Sequence, residues 1–245
     1  MNMRDARLMR KGKGVNLSFT DIIDELKLKS NPENVAGMAR YGINPKGTLG
    51  VSVYELRRLA KKIGRSHEKA QRLWYSGIHE ARILASMIDD PASVREEQME
   101  AWVKEFDSWD VCDQVCSNLF DKTGHAYRKA AEWSRRDEEY VKRAGFATMA
   151  ALAAQDKEAR DEALMRFLPI IKRESIDDRN YVRKAVNWAL RNIGKRNLRL
   201  NRAAIRTAKE IQRIDSKTAR WIASDALREL TSEEKQKRLR GKARK

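Results

Sequence analysis

Cysteine, histidine, proline and glycine are all scarce in this 245-residue chain, and each scarcity excludes something. Two cysteines, Cys112 and Cys116, are too few for a disulfide framework or a closed zinc site. None of the three histidines, His67, His79 and His125, lies close to them in sequence. Four residues apart in one predicted helix, the two thiols read as small buried side chains, with no metal or other cofactor implied and a reducing compartment fitting. Four prolines and twelve glycines leave long segments uninterrupted, which favours helix. No apolar run approaches the roughly 18 residues of a membrane span. The basic residues 1–14 are not followed by the apolar stretch of a secretory signal, so the chain is expected to be cytoplasmic. Strand-like alternation of useful length is also missing.

Negative charge is in short supply too. There are 35 Asp and Glu against 52 Lys and Arg, a net charge of +17, which draws in polyanions. The excess is unevenly placed. From Arg179 to Lys209 there are ten bases and no acid, and from Glu233 onward seven bases and two acids. A one-sided stretch across predicted helices suggests a binding face. A terminal charge run is ordinarily a solvated tail.

What is present is helical periodicity. Helices are predicted over 18–29, 32–41, 52–64, 66–89, 90–107, 108–121, 126–134, 137–153, 157–172, 178–193, 201–214 and 216–230. Asn31-Pro32 reads as a cap with Pro at the first helical position, and Ser52 with Glu55 as a capping box. Residues 42–51 form the loosest segment. Successive helical pairs of about 35 to 45 residues suit an all-α solenoid, although a compact bundle fits the same pattern. The expected organisation is a basic N-terminal segment 1–17, one α-helical repeat domain 18–230 and a basic tail 231–245, in a monomer.

Three segments carry candidate chemistry. In Ser108–Asp113, Trp109 and Asp113 are four apart on a face beside the apolar stripe Val111, Cys112, Val115, Cys116 and Leu119. Such a Trp can be rim packing only, yet Asp113 has Trp109 and Ser117, not a cation, at i−4 and i+4. On the helix 178–193, Lys184, Trp188, Arg191 and Lys195 share a face opposite Val182, Val186, Ala189 and Ile193. An aromatic among cations suits a nucleic-acid surface, and equally an amphipathic helix whose basic stems shelter a Trp. In the segment 137–149, pattern alone makes Arg143 a surface charge.

Several motifs resemble the DNA alkylation repair glycosylases of the AlkD family: Asn31-Pro32-Glu33, Met38–Tyr41, Leu49-Gly50-Val51 into Glu55–Arg58, Trp109–Asp113, Lys142-Arg143-Ala144, and Lys184–Arg191. Each is short; their order and spacing over about Asn31 to Lys195 are more specific. The resemblance implies a curved stack of HEAT-like repeats with a basic concave face on duplex DNA. It also implies hydrolysis of the N-glycosidic bond of cationic N3- and N7-alkylpurines without a cofactor. The family's carboxylate falls on Asp113, its sugar-facing aromatics on Trp109 and Trp188, its arginine on Arg143, a cleft aromatic on Tyr41 and a backbone contact on Arg191. Lys184 and Lys195 join Arg191 as expected phosphate contacts. The alternative expectation is a non-catalytic HEAT-like protein that binds damaged or distorted DNA.

Overall fold

The computed structural model describes residues 17–243, so most of the basic N-terminal segment lies outside the described residues. Every regular element among the described residues is helical. The chain divides into two compact units, Met1–Ser93 and Val94–Lys245.

The first unit contains α1 (Phe19–Leu28), α2 (Pro32–Arg40), α3 (Val53–Ile63), α4 (His67–Trp74) and α5 (His79–Ile88). Its helix starts are set by side chains. The Ser18 hydroxyl accepts from the Asp21 amide and Asp21 answers to the Ser18 amide, a complete capping box. Asn31 accepts from the amides of Glu33 and Asn34. Ser52 accepts from the Glu55 amide, but the Glu55 carboxylate turns to Lys29 and Arg58, so only half of that predicted box forms. The predicted helix 66–89 is broken: Gly77 takes a left-handed φ of 72° and the His79 amide bonds the Gly47 carbonyl. The loop before α3 is fixed by buried Glu80, whose carboxylate accepts from the amides of Leu49, Gly50 and Val51. Gly50 sits at φ 80° with its Cα against the Asn31 carbonyl, a place no side chain fits.

The second unit runs through α6 (Glu96–Lys104), α7 (Trp109–Asn118), α8 (Ala126–Trp133), α9 (Glu139–Gln155), α10 (Asp161–Met165) and α11 (Phe167–Glu174). It continues through α12 (Asn180–Gly194), α13 (Leu198–Gln212), α14 (Lys217–Leu230) and α15 (Glu233–Ala243). Three departures from the predicted helices have local causes. Asp90-Pro91 makes a turn, with Asp90 accepting from Ala92 and Ser93, and α6 starts only at Glu96. α7 stops at Asn118 and a 3-10 turn, Phe120–Lys122, follows. The predicted helix 157–172 splits into α10 and α11, because the Pro169 ring opposes the carbonyl four residues back, at Met165, the last residue of α10.

Hydrogen bonds fix the layering of this unit. Cys112 and Cys116 on α7 meet the carbonyls of Tyr140 and Ala144 on α9. Asn192 on α12 and Arg196 just beyond its end reach the carbonyls of Ala150 and Ala153 on α9. Asn187 and Arg191 reach Asp225 on α14, and Arg191 and Lys195 reach Glu229 one turn on. Residue numbers rise together across each seam, so α7, α9, α12 and α14 run parallel as one layer. α8, α11 and α13 each pack beside the helix that follows them in sequence. α9 is the axle of this arrangement, with every residue from Val141 to Ala153 buried. A helix buried all round shows little amphipathicity, and this one owes its composition to that.

The candidate DNA-repair site and the family of the chain

Asp113 lies one turn into α7, and its partner comes from another helix. Arg143 on α9 donates from Nε to Asp113 Oδ1 at 3.0 Å and from Nη2 to Oδ2 at 2.8 Å, a bidentate pair. The remaining guanidinium nitrogen, Nη1, donates to the Tyr181 carbonyl at the start of α12. Arg143 is therefore not a surface charge: it is 6% exposed and ties three parallel helices together. The reading of Asp113 as a carboxylate without a cation is likewise corrected, since no inspection of i±4 positions sees a partner thirty residues away.

The carboxylate is not sealed in. Its side chain keeps 19% of its surface exposed, against 7% for that of Arg143. Burial pushes the Asp113 carboxyl above its usual value, the Arg143 charge pulls against that rise, and Asp110 adds to it. Each carboxylate oxygen accepts one N–H from Arg143 and retains a lone pair. A largely desolvated anion with free lone pairs and part of its side chain exposed can face a developing positive charge.

Around this pair the predicted aromatics are placed unequally. Trp109, half-buried, begins α7 one turn before Asp113. Trp188 is half-buried against the core of the unit. It stands seven residues, about 10 Å, beyond Tyr181 along α12. It shares the face of Asn192, which meets α9. Sequence reasoning missed Tyr140 and Tyr181, whose rings stack at 5.7 Å; the Tyr181 carbonyl is the one that Arg143 reaches. Burial raises the Tyr140 hydroxyl to about 12, with Tyr181 contributing. A signal for them existed: Trp109, Tyr140 and Tyr181 each occupy the first or second position of successive parallel helices. Tyr41 belongs to the N-terminal unit, where it caps α2 and is 76% exposed.

The cationic face predicted on α12 is largely neutralised. Arg191 pairs with Asp225 at 2.8 Å and with Glu229 at 2.6 Å, and Lys195 lies 3.5 Å from Glu229. Both acids belong to α14 and escaped the sequence reading. Lys184 alone of that set is exposed. Lys142, next to Arg143 on α9, is buried between Glu174 and Asp177. Among the described residues no cluster of three His, Cys, Asp or Glu side chains could hold a metal ion, and no helix is long and apolar enough to cross a membrane.

Comparison with known proteins now bears on these helices. The family model described as DNA alkylation repair enzyme matches residues 22–230. This chain belongs to the DNA alkylation repair enzyme family. No curated protein matches it. One solved structure, from a new family of proteins related to the HEAT-like repeat DNA glycosylases with affinity for branched DNA structures, superposes with a TM-score of 0.73. It is 20% identical, over 86% of this chain and 95% of that one, and shows the HEAT-like repeat fold expected from the sequence. An engineered protein (TM-score 0.42, 15% identity, 94% of this chain and 99% of that one) is a more distant likeness. So is a designed armadillo repeat protein (0.37, 16%, 76% and 88%). As a member of the DNA alkylation repair enzyme family, the chain carries α15 as an addition beyond the matched span.

Proposed function

We propose that the protein is a monofunctional DNA glycosylase that hydrolyses the N-glycosidic bond of cationic N3- and N7-alkylpurines in duplex DNA. The observation that carries this reading is the Asp113–Arg143 pair: a desolvated carboxylate, oriented by a buried guanidinium fork, with part of its surface open. The base already carries positive charge, so the bond between C1′ and the purine nitrogen breaks without a protonating acid. Its electron pair returns to the ring and neutralises it. Positive character then develops on the deoxyribose, where a fixed anion stabilises it electrostatically. Water adds at C1′, and its proton passes through Asp113 to solvent. Arg143 is a positioning residue that holds the carboxylate plane. The indole of Trp109 stands beside the sugar, with Trp188 further along α12, each face worth about 0.5–2 kcal/mol of cation–π attraction. Lys184 contacts phosphate.

A second reading is favoured by one observation, that both oxygens of Asp113 are engaged by Arg143 as in a structural ion pair. The protein then binds damaged or distorted DNA without cutting it, in keeping with the affinity for branched DNA described for the structural relative.

Release of free base from duplexes containing N7-methylguanine or N3-methyladenine decides between them. Wild type is expected to release base, and Asp113→Asn to lose at least about 100-fold in rate, the scale of a deleted electrostatic stabiliser, while still binding duplex. No release by wild type, with tight binding to branched duplex, establishes the second reading.

A further inference from the structure

At the other end of α9 and α12 from Asp113, a cleft of about 670 Å³ opens between the C-terminus of α12, the chain leaving α9, the end of α14 and helix α15. It lies about 15 Å along α9 from Arg143, the ten residues from Arg143 to Ala153 at the helical rise. Five bases line it, Lys157, Lys195, Arg196, Lys235 and Arg238, against two acids. Both acids are already engaged: Asp161 accepts from Asn197 at 2.8 Å, and Glu229 is shared by Arg191 and Lys195. The Arg196 guanidinium is spent on carbonyls, those of Ala153, Lys157 and Ala159, so its charge has no carboxylate opposite. Among the described residues, Lys157 bonds only the Ala154 carbonyl. Arg238 is exposed and has no hydrogen bond or ion pair among the described residues.

The wall that completes this cleft is no loose tail. α15 is fastened to the body by Leu239, which is 2% exposed. Gln236 adds hydrogen bonds to the Leu230 carbonyl and the Asn201 side chain. Its acids, Glu233 and Glu234, sit in its first turn, where the helix dipole favours them; Glu234 accepts from Lys235 at 3.0 Å, which leaves Arg238 as the unpaired base that α15 brings to the cleft among the described residues. The apolar lining consists of three alanines. A protein or peptide partner would find no aromatic or large aliphatic anchor there, whereas phosphates need only cations and N–H groups.

We propose that this cleft is a second phosphodiester-binding site, in which α15 and the end of α12 grip the DNA backbone away from the position held at Asp113. This rests on the DNA reading above. Burial holds the Lys195 amine below its usual value, Glu229 opposing, and a bound phosphate adds a second counter-charge to this half-buried lysine.

The test compares wild type with the double variant Lys157→Ala/Arg238→Ala and with a control of equal charge loss, Arg206→Ala/Lys209→Ala, on exposed positions of α13. Duplex binding is followed by fluorescence anisotropy across a salt series, with circular dichroism confirming the fold. The cleft variant is expected to lose about 10-fold or more in affinity at physiological salt and to flatten the salt slope by about 1 to 2, with the control changing little. Equal behaviour of variant and control overturns the cleft while leaving the DNA reading intact. Failure of wild type to bind any duplex overturns both. Tight pyrophosphate binding that the cleft variant loses, with duplex affinity unchanged, assigns the cleft to a small phosphate compound and overturns the backbone assignment. Competition by poly-glutamate as effective as by duplex overturns it in favour of an acidic protein.

Discussion

Asp113 and Arg143 are thirty residues apart, and their roles are inseparable. Burial raises the Asp113 carboxyl while Arg143 restrains the rise, so the chemistry proposed for the carboxylate has a defined pH signature. The reactive form is the anion. Base release is therefore present at neutral pH and lost as pH falls through a midpoint above the ordinary 3.8 of an aspartate. Arg143→Lys keeps a positive charge but loses the fork, and removes part of the interaction that holds the carboxyl down. Its acid-limb midpoint is expected to move upward, with a lower rate at every pH. Rate–pH profiles of the two proteins check this, and an unmoved midpoint would show that Arg143 does not tune Asp113. The signature of Trp109, Asp113 and the Lys142–Ala144 run was legible in the sequence. The pair itself was not, because the cation is supplied by a different helix.

At the scale of elements, α9 decides where that cation sits. Its burial from Val141 to Ala153 forces close approach to α8, and Gly145 is the point of contact. A Cβ there would stand 2.6 Å from the Ser134 amide nitrogen and 2.9 Å from the Ala130 carbonyl oxygen. Both are backbone atoms that cannot rotate away. Gly145→Ala, which would help an exposed helix by up to about 1 kcal/mol, should instead destabilise this one by about 1–3 kcal/mol. Urea denaturation measures the difference, and a gain in stability would contradict the crossing. Helix starts were readable at several side-chain caps, Ser18, Asn31, Ser52 and Ser216, but not at Asn197, which caps α13 at Leu198, three residues ahead of the predicted start at 201. Helix interruptions were less so. Gly77 and Pro169 were visible as residues, but whether each bends, breaks or is tolerated depends on what the neighbouring segment offers the freed backbone groups.

For the whole molecule, charge is the property whose meaning changed most. The run from Arg179 to Lys209 has no acid of its own, yet acids from other segments answer four of its ten bases. Arg179 pairs with Asp177, Arg191 with Asp225 and Glu229, Lys195 with Glu229, and Arg199 with Glu162. Arg191→Ala is accordingly expected to lower the melting temperature by leaving Asp225 and Glu229 under-paired, with a modest change in duplex affinity. Lys184→Ala is expected to do the reverse, reducing the salt slope by about 1 with the melting temperature held. Melting curves and salt titrations of the two variants separate structural cations from binding cations. The terminal run changed meaning too, since Leu239 and Gln236 anchor as α15 what reads as a solvated tail.

The sequence by itself determined the helical class, several caps and the excess positive charge. These follow from composition and from periodicities of a few residues, which are local. Tertiary structure alone decided which charges remain available. An ion pair is made across a seam between helices, and the partner's place along the chain is set by the length of every loop and helix between them. Asp113 with Arg143, Arg191 with Asp225, and Arg196 with three carbonyls are separated by 30 to 43 residues, beyond the reach of any helical period.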